Sequence, residues 1–175
     1  MRLIIVTDYD QLWETMYEEE AKRIRDVLGE ELLAIHHFGS TSVPGLRAKP
    51  IIDILPVVRN IERVDRFNEQ MEALGYECMG EFGISGRRYF RKGGDRRTHH
   101  VHVFQEDNRA DIDRHLAVRD YLRTHPEAAS DYGALKASLA ERHPTDMEAY
   151  MDGKDAFVKE LEREALAWYR AETGR

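Results

Sequence analysis

Residues 51–58, IIDILPVV, constrain this chain more than any other stretch. Strand formers that are apolar at odd and even positions alike belong to a strand covered on both faces, so the run predicts a central place in a sheet. One residue interrupts it. Asp53 is a carboxylate among aliphatic side chains, and burying it is costly unless a metal ion, a cation or several donors compensate it. The preceding residues, 37–50, read HFGSTSVPGLRAKP. Gly39 lets the backbone approach a ligand, the hydroxyls of Ser40, Thr41 and Ser42 can donate to phosphate oxygens, and Lys49 adds a point charge. Together they suggest a site for phosphate and a divalent metal where a loop meets a sheet. The loop residues alone would equally make an ordinary turn-rich connection.

Around this run the pattern is that of an α+β fold. Residues 2–6 read as a short strand. Residues 9–28 read as a helix with Trp13, Tyr17, Ile24 and Leu28 on one side and Gly29 as its stop. Residues 32–38 form a strand leading into the Gly-Ser turn. Asn60 can cap a helix carrying Ile61, Val64, Phe67, Met71 and Leu74. Residues 76–79, 87–91 and 99–104 are short strand candidates, with Gly93-Gly94-Asp95 as a hairpin signal between the last two. From 110 to 171 the pattern gives three helices broken at Pro126 and Pro144, the third opening with a capping-box spacing of Thr145 and Glu148. With no low-complexity linker and no repeat, residues 1–175 read as one domain: a sheet-containing core over 1–107 and a helical part over 108–172.

The net charge of −7 argues against a general nucleic-acid binder. A single cysteine, Cys78, excludes an internal disulfide and a four-cysteine zinc site. The opening MRLIIVTDYD is too short an apolar run for a signal peptide, and no run of about 18 apolar residues follows, so the expectation is a cytoplasmic protein with no membrane partner.

Three further features carry chemistry. In THHVHVF, residues 98–104, a strand would put His100 and His102 on one face and His99, Val101 and Val103 on the other. Two imidazoles at that spacing can ligate one metal or act as acid, base or phosphate donor, or they can be partly buried and satisfied by hydrogen bonds. Residues 87–97 hold six cations against Asp95, a local charge of +5. Such a hairpin either attracts phosphate or is simply solvated, and Arg87 or Arg91 can point at a ligand while Arg88 points away. Lys154 lies on the apolar stripe of its helix, where it snorkels at the core edge or reaches into a site. His36, His37, His115, His125 and His143 show no pattern that lifts them above surface or loop residues.

The strings GSTSVPGLRAKPIIDI, THHVHVF, AVRDYLRTHPEAASDYGALKASLA and YMDGKDAF, in this order, closely resemble the GrpB family. The similarity runs from the Tyr9-Asp10 segment to about Trp168. The resemblance implies a nucleotidyltransferase-like mixed β-sheet flanked by helices, and the family is described as predicted nucleotidyltransferases, with a related domain fused to some dephospho-coenzyme A kinases in an accessory folding role. In that superfamily a Gly-Ser pair, matched by Gly39 and Ser40, holds the triphosphate. An Asp-x-Asp/Glu pair on the next strand holds two metal ions. Asp53 matches its first carboxylate, but Leu55 stands where the second belongs, and the strand that should bring a third presents His100 and His102.

The expected function is therefore a nucleotidyltransferase-like protein that binds a nucleotide or other phosphorylated small molecule and transfers a nucleotidyl or phosphoryl group to an unidentified acceptor. Gly39, Ser40, Thr41, Ser42, Lys49 and Lys154 would hold phosphates. Asp53 and His102 would hold Mg2+ or Mn2+, His100 or His102 would assist, and Arg87 would neutralise charge on the transferred group. One alternative is a nucleotide-binding or protein-folding accessory module without turnover. Another is a transition-metal hydrolase built from the histidines and Asp53.

Overall fold

The aliphatic run does lie inside a sheet. The computed structural model describes residues 2–174, so the ends of the expected 1–175 domain, Met1 and Arg175, fall outside the described residues. Strand β2 (Ile52–Val58) pairs antiparallel with β1 (Leu32–Phe38) and parallel with β5 (His99–Gln105). Strands β4 (Arg87–Lys92) and β3 (Tyr76–Cys78) extend the sheet antiparallel, giving the order β1-β2-β5-β4-β3.

Both faces are covered, as a two-sided apolar strand requires. Helices α1 (Leu12–Leu28) and α2 (Asn68–Ala73) lie on one face, where Trp13, Ile24 and Met71 meet Ile52, Ile54, Val58 and Val101. Each fully buried aliphatic side chain there contributes about 1.5–3 kcal/mol. On the other face Ile112 and Leu116 of α3 (Arg109–Thr124) pack on Leu55, Val57 and Phe104. Helices α4 (Pro126–Arg142) and α5 (Met147–Thr173) complete the helical half. Their Tyr132 and Leu161 close over Val43 and Leu46 of the loop between β1 and β2, which brings helical side chains beside the Gly-Ser turn. The result is a mixed sheet flanked by helices with a helical C-terminal half.

Several local expectations are corrected. Residues 2–6 are not a strand. Their backbone is tied elsewhere: Ile4 N–H donates to Pro144 O at 2.9 Å, and Thr7 forms a lone bridge with Ala48. The helix expected at residue 9 starts at Leu12, whose N–H donates to Asp10 Oδ1. The segment after Asn60 opens as a 3-10 helix, Ile61–Phe67, although Asn60 does cap it by accepting from Glu62 N–H at 3.0 Å. Asp146, not Thr145, caps α5, accepting from Ala149 N–H at 3.0 Å. In the β4–β5 turn Gly93 has φ of 106°, and a Cβ there would overlap Arg96 O, so the turn needs glycine. Among the described residues no helix is long and apolar enough to cross a membrane.

Candidate functional site

Asp53 stands opposite Phe38 of β1 and His100 of β5, while His102 stands opposite Tyr89 of β4. Paired positions share a face of the sheet, so Asp53, His100 and His102 come together as the strand alternation predicts. The Asp53 side chain keeps 23% of its surface exposed, with Oδ1 at 3.4 Å from His100 Nδ1 and 3.9 Å from His102 Nε2. One ligand-type atom from each of the three lies within 4.8 Å of the others.

The far side of each ring meets an arginine. Arg97 Nη1 is 3.1 Å from His100 Nε2, and Arg87 Nη1 is 3.2 Å from His102 Nδ1. An arginine N–H can only donate, so each imidazole accepts there and carries its proton on the nitrogen that faces Asp53. Burial pushes the His102 pKa down to about 3, which keeps that ring neutral despite the nearby Asp53 charge. Burial pushes the Asp53 carboxyl up. Hydrogen bonding by His100 and the positive field of its neighbours, Lys49 included, outweigh this and hold it below the ordinary carboxylate range.

The second oxygen of Asp53 faces the Gly-Ser loop. Gly39 has φ of 72°, and a Cβ there would overlap Asp53 Oδ2, so both backbone conformation and space demand glycine. All three hydroxyls expected to meet phosphate have partners inside the protein. Thr41 Oγ1 is buried and donates to Ile51 O at 3.2 Å, and Ser42 Oγ donates to Gly39 O at 2.5 Å. Ser40 Oγ instead accepts from Lys136 Nζ at 2.7 Å.

Lys136 is the residue that sequence reasoning missed. It sits on α4, is 2% exposed, and places Nζ 4.3 Å from the Tyr132 ring centre. Burial, reinforced by Lys154 and Lys49, pushes its pKa down to about 6. Lys49 and Lys154 each place Nζ 5.2 Å from the centre of the Tyr150 ring. Burial and then Lys154 lower Lys49 to about 8, and burial also lowers Lys154. Lys154 is thus partly buried beside this cluster, not extended along the core edge. Tyr150 is fully buried, and its hydroxyl has no hydrogen-bond partner among the described residues. The signal for Lys136 was present in the sequence: it falls four residues after Tyr132 and three before Leu139, on the stripe that α4 buries.

The remaining candidates separate. Arg87 is buried and spends its guanidinium on Glu81 O, Phe82 O and His102, so its donors position a histidine and the 81–82 backbone. Arg88 points to the opposite face and meets Asp65 through two bonds, and Arg91 pairs with Glu77. His37 and His115 are more than loop residues. Burial brings each pKa to about 4; His37 Nε2 lies 3.0 Å from Thr41 Oγ1, and the His115 ring packs against Phe38 and His102.

The profile of the family described as GrpB protein matches residues 3–164. The chain belongs to the GrpB family. The crystal structure of conserved protein GrpB from Enterococcus faecalis is 54% identical, with a TM-score of 0.92 over 94% of this chain and 99% of that one. The UPF0157 protein YqkA of Bacillus subtilis is 50% identical over 95% of this chain, which spans only 48% of YqkA. The dephospho-CoA kinase of Mycolicibacterium paratuberculosis is 25% identical over 91% of this chain and 45% of its own length, in line with the expected fusion. Outside the family, the structure of Cid1 in complex with the UTP analog UMPNPP matches with a TM-score of 0.52 at 16% identity, over 77% of this chain and 43% of that one. That likeness shows the nucleotidyltransferase-like fold.

Proposed function

We propose that this GrpB protein binds the polyphosphate of a nucleotide across the Gly39–Ser40 loop, Lys49, Lys136 and Lys154, with one Mg2+ or Mn2+ at Asp53, and transfers a nucleotidyl group to an acceptor. The observation that carries the reading is the lysine cluster. Three partly or fully buried lysine amines from the loop, α4 and α5 are lowered by burial, Lys136 further by Lys154 and Lys49 and Lys49 further by Lys154, and Asp53 is the acid whose field each of them feels. Like charges gathered out of water are unfavourable until an anion arrives, and a triphosphate supplies that charge. The nucleotide-bound Cid1 structures share the fold and favour the same ligand class.

The single carboxylate bears on the metal. A hard divalent ion is commonly held by one or two carboxylates plus substrate phosphates, and Asp53 Oδ2, facing the phosphate loop, suits that arrangement. When bound, magnesium would be held by Asp53 and would neutralise charge on the transferred group. His100 serves by turning its Nδ1–H to Oδ1 at 3.4 Å, and His102 stands by with its Nε2 at 3.9 Å. A transition metal on all three side chains would need both rings to turn over their tautomers and leave two arginines facing N–H groups. In the transfer, the acceptor oxygen bonds to the α-phosphorus and the bond from that phosphorus to the bridging oxygen breaks. Pyrophosphate leaves with the electron pair, and the acceptor proton passes to solvent.

One observation favours a binding module without turnover instead. Leu55, where a second carboxylate would stand, is 0% exposed and packed with Phe104 in the core. Pyrophosphate release from labelled nucleoside triphosphates, with and without magnesium, separates the two. Release that needs magnesium and is lost in Asp53→Asn supports transfer; tight binding with no release supports the module.

A further inference from the structure

Resting on that reading, we propose that a cleft at the end of the sheet, lined by the residues that lead into β2, holds the acceptor, and that the acceptor is a small phosphorylated molecule with an apolar or planar body. The cleft has a volume of about 630 Å³, within the range that encloses one small ligand. The extended N-terminal segment, the start of α5 and the turns before β2 and β5 form its walls. Two kinds of side chain line it. Leu3, Ile5 and Met147 give it an apolar wall, and Leu3 and Ile5 are 59% and 54% exposed, an apolar surface the fold itself leaves unused. Arg2, Lys49, Arg96 and Arg97 give it positive charge, with Asp95 the acid that lines it.

Its position supplies the mechanistic argument. The Gly39 loop follows β1, and the turn carrying Arg96 and Arg97 precedes β5, so polyphosphate loop and cleft flank β2, and with it Asp53, from opposite sides. In-line displacement needs the attacking and leaving oxygens on opposite sides of the phosphorus. Two links join the cleft to the centre: Lys49 lines it, and Arg97 Nη1 bonds His100 Nε2 at 3.1 Å while His100 Nδ1 faces Asp53 Oδ1. The basic hairpin thereby divides in two. Arg88 and Arg91 are paired with Asp65 and Glu77, whereas Arg96 and Arg97 are turned to the cleft. A bounded cleft in a chain of net charge −7 fits a single phosphate ester better than a polymer.

The probe is 4-methylumbelliferyl phosphate, a planar phosphomonoester, titrated into the full chain by fluorescence. Inorganic tripolyphosphate with magnesium is titrated in parallel. The expected result is saturable probe binding that weakens about tenfold in Arg96→Glu and in Ile5→Asp, with tripolyphosphate affinity unchanged in both. Lys136→Met should do the reverse. Tripolyphosphate binding with no saturable probe binding, or probe binding indifferent to both cleft variants, overturns the acceptor cleft and leaves the polyphosphate site standing. A single-stranded oligonucleotide that binds tighter than the probe and depends on Arg96 overturns the small-molecule assignment. Failure of tripolyphosphate to bind the unaltered protein overturns the underlying reading instead.

Discussion

Glu20 and Asp53 are acids on opposite faces of one sheet, and they are kept charged in different ways. Glu20, on α1, is 1% exposed, and both its oxygens are answered by bonded donors: Tyr76 Oη at 2.9 Å and Lys92 Nζ at 3.0 Å on Oε1, Arg23 Nη1 at 2.9 Å on Oε2. Burial raises its pKa, and those three bonds outweigh the effect and lower it. Asp53 turns Oδ1 to two imidazoles at 3.4 and 3.9 Å and Oδ2 to a glycine loop, and the lysines that feel its field sit around Tyr150 and Ser40. One group is a closed electrostatic unit and the other holds more positive charge than its acid balances. A buried carboxylate alone therefore does not mark a site; an unbalanced field around it does.

Exchanging the two acids for amides breaks the comparison most sharply. Asp53→Asn should lower magnesium-dependent triphosphate affinity by roughly a hundredfold while lowering the melting temperature by less than Glu20→Gln does. Glu20→Gln should leave binding intact and cost about 2 kcal/mol, reduced because Lys92 is partly solvated, or roughly 4–8 °C in Tm. Calorimetric titration and thermal melts on the same samples read both.

Gly39→Ala comes next. A left-handed backbone and overlap with Asp53 Oδ2 together should cost about 1–2 kcal/mol and weaken tripolyphosphate binding about tenfold, whereas Gly45→Ala, with φ of 84° and nothing within 4 Å of its Cβ, should show strain alone. The lysines give a smaller contrast with opposite signs. Lys136→Met should weaken polyphosphate about tenfold yet raise the Tm of the ligand-free protein by a few degrees, about 1 kcal/mol, by removing an amine that must give up its proton to be buried. Lys92→Met, which strips Glu20 of a partner, should lower the Tm and spare binding.

The weakest contrast is in pH. Lys136 and Lys49, at about 6 and about 8, lie below their ordinary 10.5, so the unfolded chain binds more protons between those values and ligand-free stability rises with pH across that window. Glu20 is depressed from 4.5, so its contribution is complete above that value and is lost as pH falls through its folded pKa. Melts with saturating tripolyphosphate should flatten the alkaline rise and leave the acid limb alone.

Much of this was legible in the sequence because it rests on local periodicity. The bounds of β1 and the both-sided burial of β2 follow from their side chains, and the shared face of Asp53, His100 and His102 follows from alternation plus one parallel pairing. What failed depends on contacts between distant segments. Residues 2–6 have strand-like composition, yet Pro144 and Ala48 claim backbone groups there and at Thr7. The hydroxyls of Ser40, Thr41 and Ser42 look alike in sequence, and only folding assigns Thr41 to Ile51 and Ser40 to Lys136, 96 residues away. The spacing of Lys136 from Tyr132 and Leu139 marks it as facing inward, but only the packing of α4 on the loop brings it to Ser40.

The most direct test is calorimetric titration of magnesium tripolyphosphate at about pH 8 in buffers of different ionisation heats. The buried lysines, lowered to about 6 and about 8, must gain protons when an anion settles among them. The account predicts saturable binding with net proton uptake that falls in Lys136→Met. Binding with no proton exchange, or with uptake unaltered by that substitution, would contradict it.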